Sequence, residues 1–219
     1  MPTAMGSWTP ATIASLATAG GTLVLAVATF TAVRSANRTA RVAERSLLAG
    51  IRPLLVPSRP EQPGELITFG DGYTVELRGG QGSAEHVDGV VYLTIALYNA
   101  GTGMAVLHGW VVDPEREVGD GNHEPPERFR RLTRDLYVPA GYVGFWQGAI
   151  REPDDPDLPR VARAIGEERG ITLDLLYGDL EGGQRTITRI RLSRPDGAGR
   201  GTWLPVVSRH WSIDRPDPR

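Results

Sequence analysis

The chain of 219 residues contains no cysteine and no lysine, so its 24 basic residues are all arginine. The lack of cysteine excludes thiol nucleophiles, disulfides, iron–sulfur clusters and cysteine-ligated zinc. The lack of lysine excludes a Schiff-base lysine, a P-loop lysine and a kinase-type lysine. A net charge of −2 gives no electrostatic basis for a nucleic-acid partner. Without cysteine, the sequence does not reveal its redox compartment.

Charged side chains are also missing from the first 33 residues. Within that segment, residues 11–33 form a run of 23 uncharged residues. As a helix this run extends about 35 Å, enough to cross a hydrocarbon core of about 30 Å. The sequence therefore predicts a transmembrane helix at 11–33, embedded in the lipid bilayer, with Trp8 at the interface. A cleaved signal peptide is the alternative, although the basic segment that normally begins one is missing.

Arginines follow the apolar run closely, and none precedes it. They are Arg34, Arg38, Arg41, Arg45 and Arg52. Basic residues flanking a transmembrane helix favour the cytoplasmic side. This asymmetry predicts a single-pass protein of the cell membrane, with its N-terminus outside and its C-terminal domain in the cytoplasm.

The first four of these arginines recur at helical spacing, which predicts that the helix continues beyond the membrane. Gly50, followed by Pro53, is predicted to end it. Such a stripe can lie against anionic lipid headgroups, or it can belong to a solvated stalk whose arginines only set the topology. Small residues four apart in the apolar run, such as Ser15 and Ala19, would permit homo-oligomer formation.

Beyond residue 50, short apolar runs alternate with Gly, Pro, Asn and Asp, the pattern typical of all-β proteins. The predicted fold class is mainly β: the anchor and juxtamembrane helix at 1–50, an antiparallel β-sandwich (Ig-like) domain at 51–214, and a tail at 215–219. Strands are predicted at 53–56, 66–69, 73–77, 90–98, 104–112, 136–138, 142–146, 171–177, 185–192 and 203–213. A short surface helix is predicted at 160–168. No βαβ alternation is visible, which disfavours a parallel sheet.

No pattern in this domain identifies a catalytic, cofactor-binding or metal-binding residue. Gly101-Thr102-Gly103 has the start of a dinucleotide fingerprint, but a strand pattern follows it, so a glycine-rich turn is the better interpretation. The four histidines share no metal-ligand spacing. The acidic segment 152–157 is interrupted by prolines and reads as a solvated loop rather than a calcium loop.

Two segments remain as candidate contacts with a partner. Arg128, Arg130 and Arg131 belong to the only basic cluster of the domain, which either grips an acidic partner or lipid phosphates, or forms a solvated, salt-bridged face. The segment from Tyr177 to Gln184, including Asp179, is a predicted hairpin tip, where aspartate and glycine serve turn geometry first and binding second.

Four segments carry a resemblance to a known group. They are RPLLVPSRP at 52–60, YNAGTGMAVLHGW at 98–110, FRRLTRDLYVPAG at 129–141 and LLYGDLEGGQRTITR at 175–189. Together with the charge-poor N-terminal helix, they resemble uncharacterised single-pass membrane proteins of actinobacteria, over nearly the whole chain. The resemblance implies a helix followed by a β-sandwich, and it implies no activity and no catalytic residues.

The sequence thus favours a membrane-tethered, non-enzymatic β-sandwich that binds an unknown protein partner or organises membrane components. An envelope-associated hydrolase or metal-dependent enzyme is the first alternative. The second is a small-molecule sensor whose pocket is lined by Trp110, Trp146 and Tyr177.

Overall fold

The computed structural model describes residues 9–117, 119–195, 197 and 201–214. Residues 215–219, predicted to be a tail, and Trp8, predicted to lie at the interface, fall outside the described residues. The chain divides into two compact units between Leu47 and Leu48, three residues before the boundary expected from sequence.

The N-terminal unit is built on helix α1, Pro10–Gly50. Pro10 occupies the first helical position, where its missing N–H costs nothing. Along the apolar run, hydroxyls of Ser15, Thr18 and Thr22 donate to the carbonyl four residues earlier, at 2.9–3.0 Å. These polar groups are therefore satisfied within the helix itself, as a hydrocarbon environment requires. The helix is long and apolar enough to cross a membrane, with a mean hydropathy of 1.8 in its apolar window, a property that a signal sequence would share.

The second unit is a largely antiparallel β domain, as predicted. Its described strands are β1 (Leu55–Pro57), β2 (Glu65–Thr68), β3 (Thr74–Leu77), β4 (Gly82–Val87), β5 (Val90–Asn99), β6 (Ala105–Asp113), β7 (Arg130–Val138), β8 (Val143–Ile150), β9 (Ile171–Gly178), β10 (Arg185–Ser193) and β11 (Thr202–Ser212). Helix α2 spans Asp157–Gly166, and a single 3₁₀ turn spans Pro126–Arg128.

Strand β5 organises one half of the domain. Its residues 91–98 pair with β8, while 90–95 pair with β4 and 97–99 with β1. Because a strand has two edges and these registers overlap, β8 lies on one edge and β4 and β1 share the other. Strand β11 joins β4 through Thr202 and Trp203, and the order then continues β10, β9, β6, β7. The described sheet thus ends at β8 on one side and at β7 on the other.

The main core lies on the inward face of this sheet and is formed by alternate residues of the long strands. On β5, which was predicted as a strand at 90–98, these are Val91, Leu93, Ile95 and Leu97. The opposite face of β5, with Tyr92 and Ala96, is covered by the separate hairpin of β2 and β3. Strand β5 is therefore buried on both faces.

Helix α2 differs from its prediction in both bounds and burial. It begins three residues early, at Asp157, whose carboxylate suits the positive end of a helix dipole. The helix was expected on the surface, but Val161 and Ala164 are fully buried and pack into the main core. It contacts β4, β5, β6 and β9. The two buried side chains lie three residues apart, so one helical face closes this end of the core.

Strand β4 was not predicted. It is joined to β5 by a two-residue turn, Asp88-Gly89, in which both residues have positive φ, 50° and 80°. That geometry is the type I′ turn, whose twist matches the twist of the flanking strands.

Two other turns are defined by their backbone hydrogen bonds. Phe69 N donates to Tyr73 O across Gly70-Asp71-Gly72, closing the β2–β3 hairpin at 2.8 Å. At 139–142, Tyr142 N donates to Pro139 O and Gly141 has φ 75°, the signature of a type II turn. Gly141 thus occupies the third position of the turn and Pro139 the first.

Candidate docking groove

The basic cluster predicted near residue 130 lies at the start of strand β7, where Arg130 is held by the acidic segment that leads into the first turn of α2. Its guanidinium donates to both Asp155 oxygens, one at 2.8 Å, and to Asp157 Oδ2 at 2.5 Å. The Arg130 guanidinium lowers the pKa of the Asp155 carboxyl below its usual value. Arg130 also lies 5.5 Å above the centre of the Trp110 ring. The acidic segment, expected to be a solvated loop, is therefore a clamp on Arg130.

A groove of about 450 Å³ lies beside this clamp, between strands β7 and β8. Residues 130–133 of β7 form one wall and residues 147–149 of β8 the other, with Trp110 between them. Successive residues of a strand point to opposite faces, so a wall made of consecutive residues is the edge of the strand. In the described structure β7 pairs only with β6, and β8 only with β5. The β7–β8 groove, as we call it, is thus bounded by two unpaired backbone edges.

The end of the groove is closed by residues 69–71 and 151–152. Here Arg151 Nε lies 3.0 Å from Asp71 Oδ2, and the Tyr92 hydroxyl donates to the same oxygen at 2.8 Å. Arg151 also lies 5.9 Å from the centre of the Tyr92 ring. The charge of Arg151 is therefore already matched by the β2–β3 turn.

The floor of the groove depends on a glycine. A Cβ at Gly148 would lie 2.9 Å from two ring atoms of Trp110 and 2.7 Å from Trp146 Cζ2. The absence of a side chain lets the two indoles meet edge to face, with ring centres 5.3 Å apart. Trp110 is consequently 3% exposed, enough to line the groove while belonging to the core.

Two arginines flank the groove without an acidic partner among the described residues. Arg131 is exposed and forms no ion pair there. Arg134 donates to Gln147 Oε1 at 2.9 Å and lies 5.5 Å from the centre of the Phe145 ring. Arg128, the remaining member of the predicted cluster, is exposed and faces Glu124 at 3.2 Å. Among the arginines that line the groove, Arg131 is thus the one without an ion pair in the described structure, and Glu152 supplies a carboxylate to the same lining.

The hairpin tip from Tyr177 to Gln184 has its polar groups occupied within the domain. Asp179 Oδ1 accepts from Gly183 N at 2.8 Å, and Gln184 Nε2 donates to Leu48 O at 2.5 Å. Tyr177 is fully buried, and its hydroxyl accepts from Leu55 N at 3.1 Å. Burial raises the pKa of Tyr177 above its usual value. Turn closure and core packing account for these three residues, and the structure brings none of them to the β7–β8 groove.

A hydroxyl–imidazole contact of the kind used by nucleophilic enzymes does occur, between Thr188 Oγ1 and His210 Nδ1 at 2.7 Å. Thr188 is fully buried, however, and its oxygen also contacts the Tyr177 hydroxyl at 2.9 Å. No substrate can reach this hydroxyl, so the contact serves as a hydrogen-bond chain between β9, β10 and β11. In the described part of the chain, no group of three or more His, Asp or Glu side chains is arranged to hold a metal ion.

Sequence reasoning missed the most deeply buried charges of the domain. Arg189 and Asp174 are 1% and 2% exposed and form a two-pronged ion pair at 2.7 and 2.8 Å. Arg189 also donates to the carbonyls of Asp120 and Asn122, at 2.7 and 2.8 Å. Arg116 meets Asp174 from the other side at 3.1 Å. This cluster fastens the polar loop after β6 to the sheet, and no local sequence signal indicates it.

Two other sets of predicted residues are not among those that line the groove, apart from Trp110. The arginines at 34, 38, 41 and 45 are all exposed on helix α1. Of the three side chains proposed for a sensor pocket, Trp146 and Tyr177 are fully buried core residues, and Trp110 borders the β7–β8 groove.

Comparisons with protein-family models, with curated proteins and with solved structures find no match to this chain.

Proposed function

We propose that this chain is a single-pass membrane protein whose β domain is a non-enzymatic docking module, exposed to the cytoplasm. The observation that carries the proposal is the β7–β8 groove, where two unpaired strand edges face each other across a cavity. Strand edges offer rows of unused N–H and C=O groups to an incoming segment, a common mode of protein recognition. The volume is also within the range of specific binding pockets.

The anchor supports the same proposal. Helix α1 combines an apolar run at 11–33 with four exposed arginines that follow it. We assign the run to the bilayer, and the arginine-bearing part to a basic stalk that meets anionic headgroups where it leaves the membrane. The β domain is assigned an Ig-like sandwich, in line with the resemblance to uncharacterised actinobacterial membrane proteins.

Protease accessibility tests the orientation. We expect the β domain to resist protease in intact cells and to be degraded in inside-out vesicles, because the arginines fix its side of the membrane. Immunoblotting against a C-terminal tag measures both. Degradation in intact cells would place the domain outside and contradict the orientation, and release of a soluble domain would identify the helix as a signal sequence.

Site-specific photocrosslinking tests the docking function. A photoreactive residue replaces Thr133 or Glu152, both exposed at the groove, and in a control it replaces Glu76, exposed on β3. Irradiation of the native cells should give one discrete protein adduct from the two groove positions and none from Glu76. Adducts of equal yield at all three positions, or none at the groove positions, would contradict the docking function.

A further inference from the structure

We infer that helix α1 carries a site for a single phospholipid whose headgroup bears a second phosphate, further from the bilayer than the first. The site lies where the helix leaves the apolar run, and Arg34, Arg38 and Arg41 form its basic part. This inference rests on the proposed membrane anchor, and it adds the chemical class of the lipid that the basic stalk binds.

The three arginines border one open recess on the surface of the helix. Phe30 and Val33, which belong to the uncharged run, form its apolar end. Arg34, Arg38 and Arg41 form its basic end. Guanidinium groups bind phosphate through paired N–H donors, and an acyl chain packs against apolar side chains. The recess therefore presents its groups in the order in which a phospholipid carries its own.

The charge of the recess is not neutralised within the ranges that the structure describes. None of the three arginines forms an ion pair there, and no acidic residue borders the recess. Glu44 is the only acidic residue of helix α1, and it lies outside the lining. Like charges three and four residues apart on a helix repel each other. Three guanidinium groups around one recess therefore favour an anionic occupant.

The alignment of the arginines on one face is not explained by membrane topology. The positive-inside effect depends on the number of basic residues near the membrane, whichever face of the helix they occupy. A helix that leaves the bilayer steeply has headgroups on every side, so the surface potential selects no face either. From residue 22 to residue 49 the helix contains no proline or glycine to kink it, so the stalk continues the direction of the membrane segment. A one-sided stripe therefore indicates a one-sided ligand.

The spacing of the arginines along the helix axis favours two phosphates in line. Arg34 directly follows the apolar run, and at 1.5 Å per residue Arg38 lies about 6 Å and Arg41 about 10 Å beyond it. The headgroup layer of one leaflet is about 5–7 Å deep. A phosphate at the usual depth thus reaches the first two arginines, whereas Arg41 lies beyond the layer. A second phosphate, further out on the same headgroup, would reach Arg41 as well.

Native mass spectrometry of the full chain, released from neutral detergent micelles, tests the site by counting bound lipids. The probe is phosphatidylinositol monophosphate, which carries a phosphodiester and an outer phosphate. Cardiolipin, with two phosphates side by side, and phosphatidylglycerol, with one, are the controls. We expect one probe molecule per chain, bound about tenfold more tightly than either control, because only the probe engages all three arginines in charge-assisted hydrogen bonds.

Two single substitutions on the same stripe separate the site from general surface charge. Arg41→Gln should lower the affinity for the probe about tenfold and leave that for phosphatidylglycerol unchanged. Arg45→Gln is the matched control, because it removes the same charge from the next arginine, which does not border the recess; it should lower the affinity less than about twofold. Both side chains are exposed and glutamine is a good helix former, so the helix should be retained, as circular dichroism verifies.

Several results would overturn the inference. Equal affinity for the probe and phosphatidylglycerol would leave surface charge as the only attraction, and tighter binding of cardiolipin would exclude two phosphates in line. Equal losses in Arg41→Gln and Arg45→Gln would spread the attraction over the whole stripe. Displacement of the probe by an equal concentration of soluble inositol phosphate would assign the recess to free phosphates.

The same spectra distinguish failure of the lipid site from failure of the anchor. A measured mass that lacks the apolar run would identify a cleaved signal sequence, and it would remove the membrane anchor together with the site. An intact chain without preference for the probe would remove the lipid site alone.

Discussion

Replacing Arg189 with methionine should lower the free energy of unfolding by about 3–5 kcal/mol, the range for breaking a buried ion pair. The change leaves Asp174 buried with only Arg116 as a counter-charge, and it removes the donor to the carbonyls of Asp120 and Asn122. It also removes the guanidinium 4.7 Å from the centre of the Trp211 ring. Urea unfolding of the full chain in micelles, followed by tryptophan fluorescence, measures the loss.

The matched control is Arg185→Met. Arg185 also pairs with an aspartate, Asp214, at 2.8 Å, but both side chains are partly exposed, at 46% and 28%. An exposed pair contributes less than about 1 kcal/mol. A second variant, Arg189→Met with Asp174→Leu, removes both charges and should recover part of the lost stability, because the buried carboxylate that has lost its two-pronged partner is the main cost. If Arg189→Met costs no more than Arg185→Met, the loop is not held by this ion pair.

Replacing Asn99 with alanine should cost about 4 kcal/mol, because one fully buried amide satisfies four backbone groups. Its Oδ1 accepts from Leu54 N at 3.1 Å and from Gly101 N at 3.0 Å. Its Nδ2 donates to Gly103 O at 2.7 Å and to Val138 O at 2.8 Å. The residue thus joins the approach to β1, the turn after β5 and the end of β7. Thermal and urea unfolding measure the effect.

Asn122→Ala is the control for Asn99, because its side chain is exposed, and it should change stability by less than about 0.5 kcal/mol. Asn99→Asp separates the donors from the acceptors. It keeps the shape and the oxygen but replaces the amide donors with a charge facing two carbonyls, so it should destabilise at least as much as alanine. A loss below about 1 kcal/mol for Asn99→Ala would mean that water replaces the amide.

Strands whose burial follows a local pattern could be predicted from the sequence. β5 is the clearest case, because its inward side chains alternate over the whole strand. The segment 101–103, predicted to be a glycine-rich turn, is a bend in the structure. A Cβ at Gly103 would collide with the Ile51 carbonyl, so the glycine is needed there. Local sequence was sufficient here, because the alternation of apolar residues along β5 and the glycines of the turn can be read directly from the sequence.

Strand β4 was missed although a signal was present. Its sequence, Gly-Ser-Ala-Glu-His-Val, has no apolar alternation, and its strand conformation comes from pairing with β5 and β11. Gly82 is required there because a Cβ would lie 2.7 Å from a Leu192 methyl group. The Asp88-Gly89 pair directly before β5 is nevertheless a strong hairpin signal, and it would have located the strand.

The groove and the buried ion pair lay beyond local reasoning. Arg189 and the Asp120 carbonyl are 69 residues apart in sequence, and a chain with 24 arginines and 26 acids allows too many pairings to choose from. Strand β7 was predicted only at 136–138, because the charged residues at 130–135 are typical of a loop. In the structure Asp155 and Asp157 neutralise Arg130, and the strand begins there. The open edges themselves depend on which strands pair, and a single sequence does not specify that.

The strand edges of this domain differ in how well they resist aggregation. Strand β11 pairs with β4 only at its first two residues, and Pro205 then follows, which lacks the N–H that a foreign strand would need. The described strands β7 and β8 contain no proline, so their edges remain competent to pair. If copies of this domain are crowded side by side in a membrane, contact between strand edges would therefore begin at β7 or β8 rather than along the proline-bearing edge of β11.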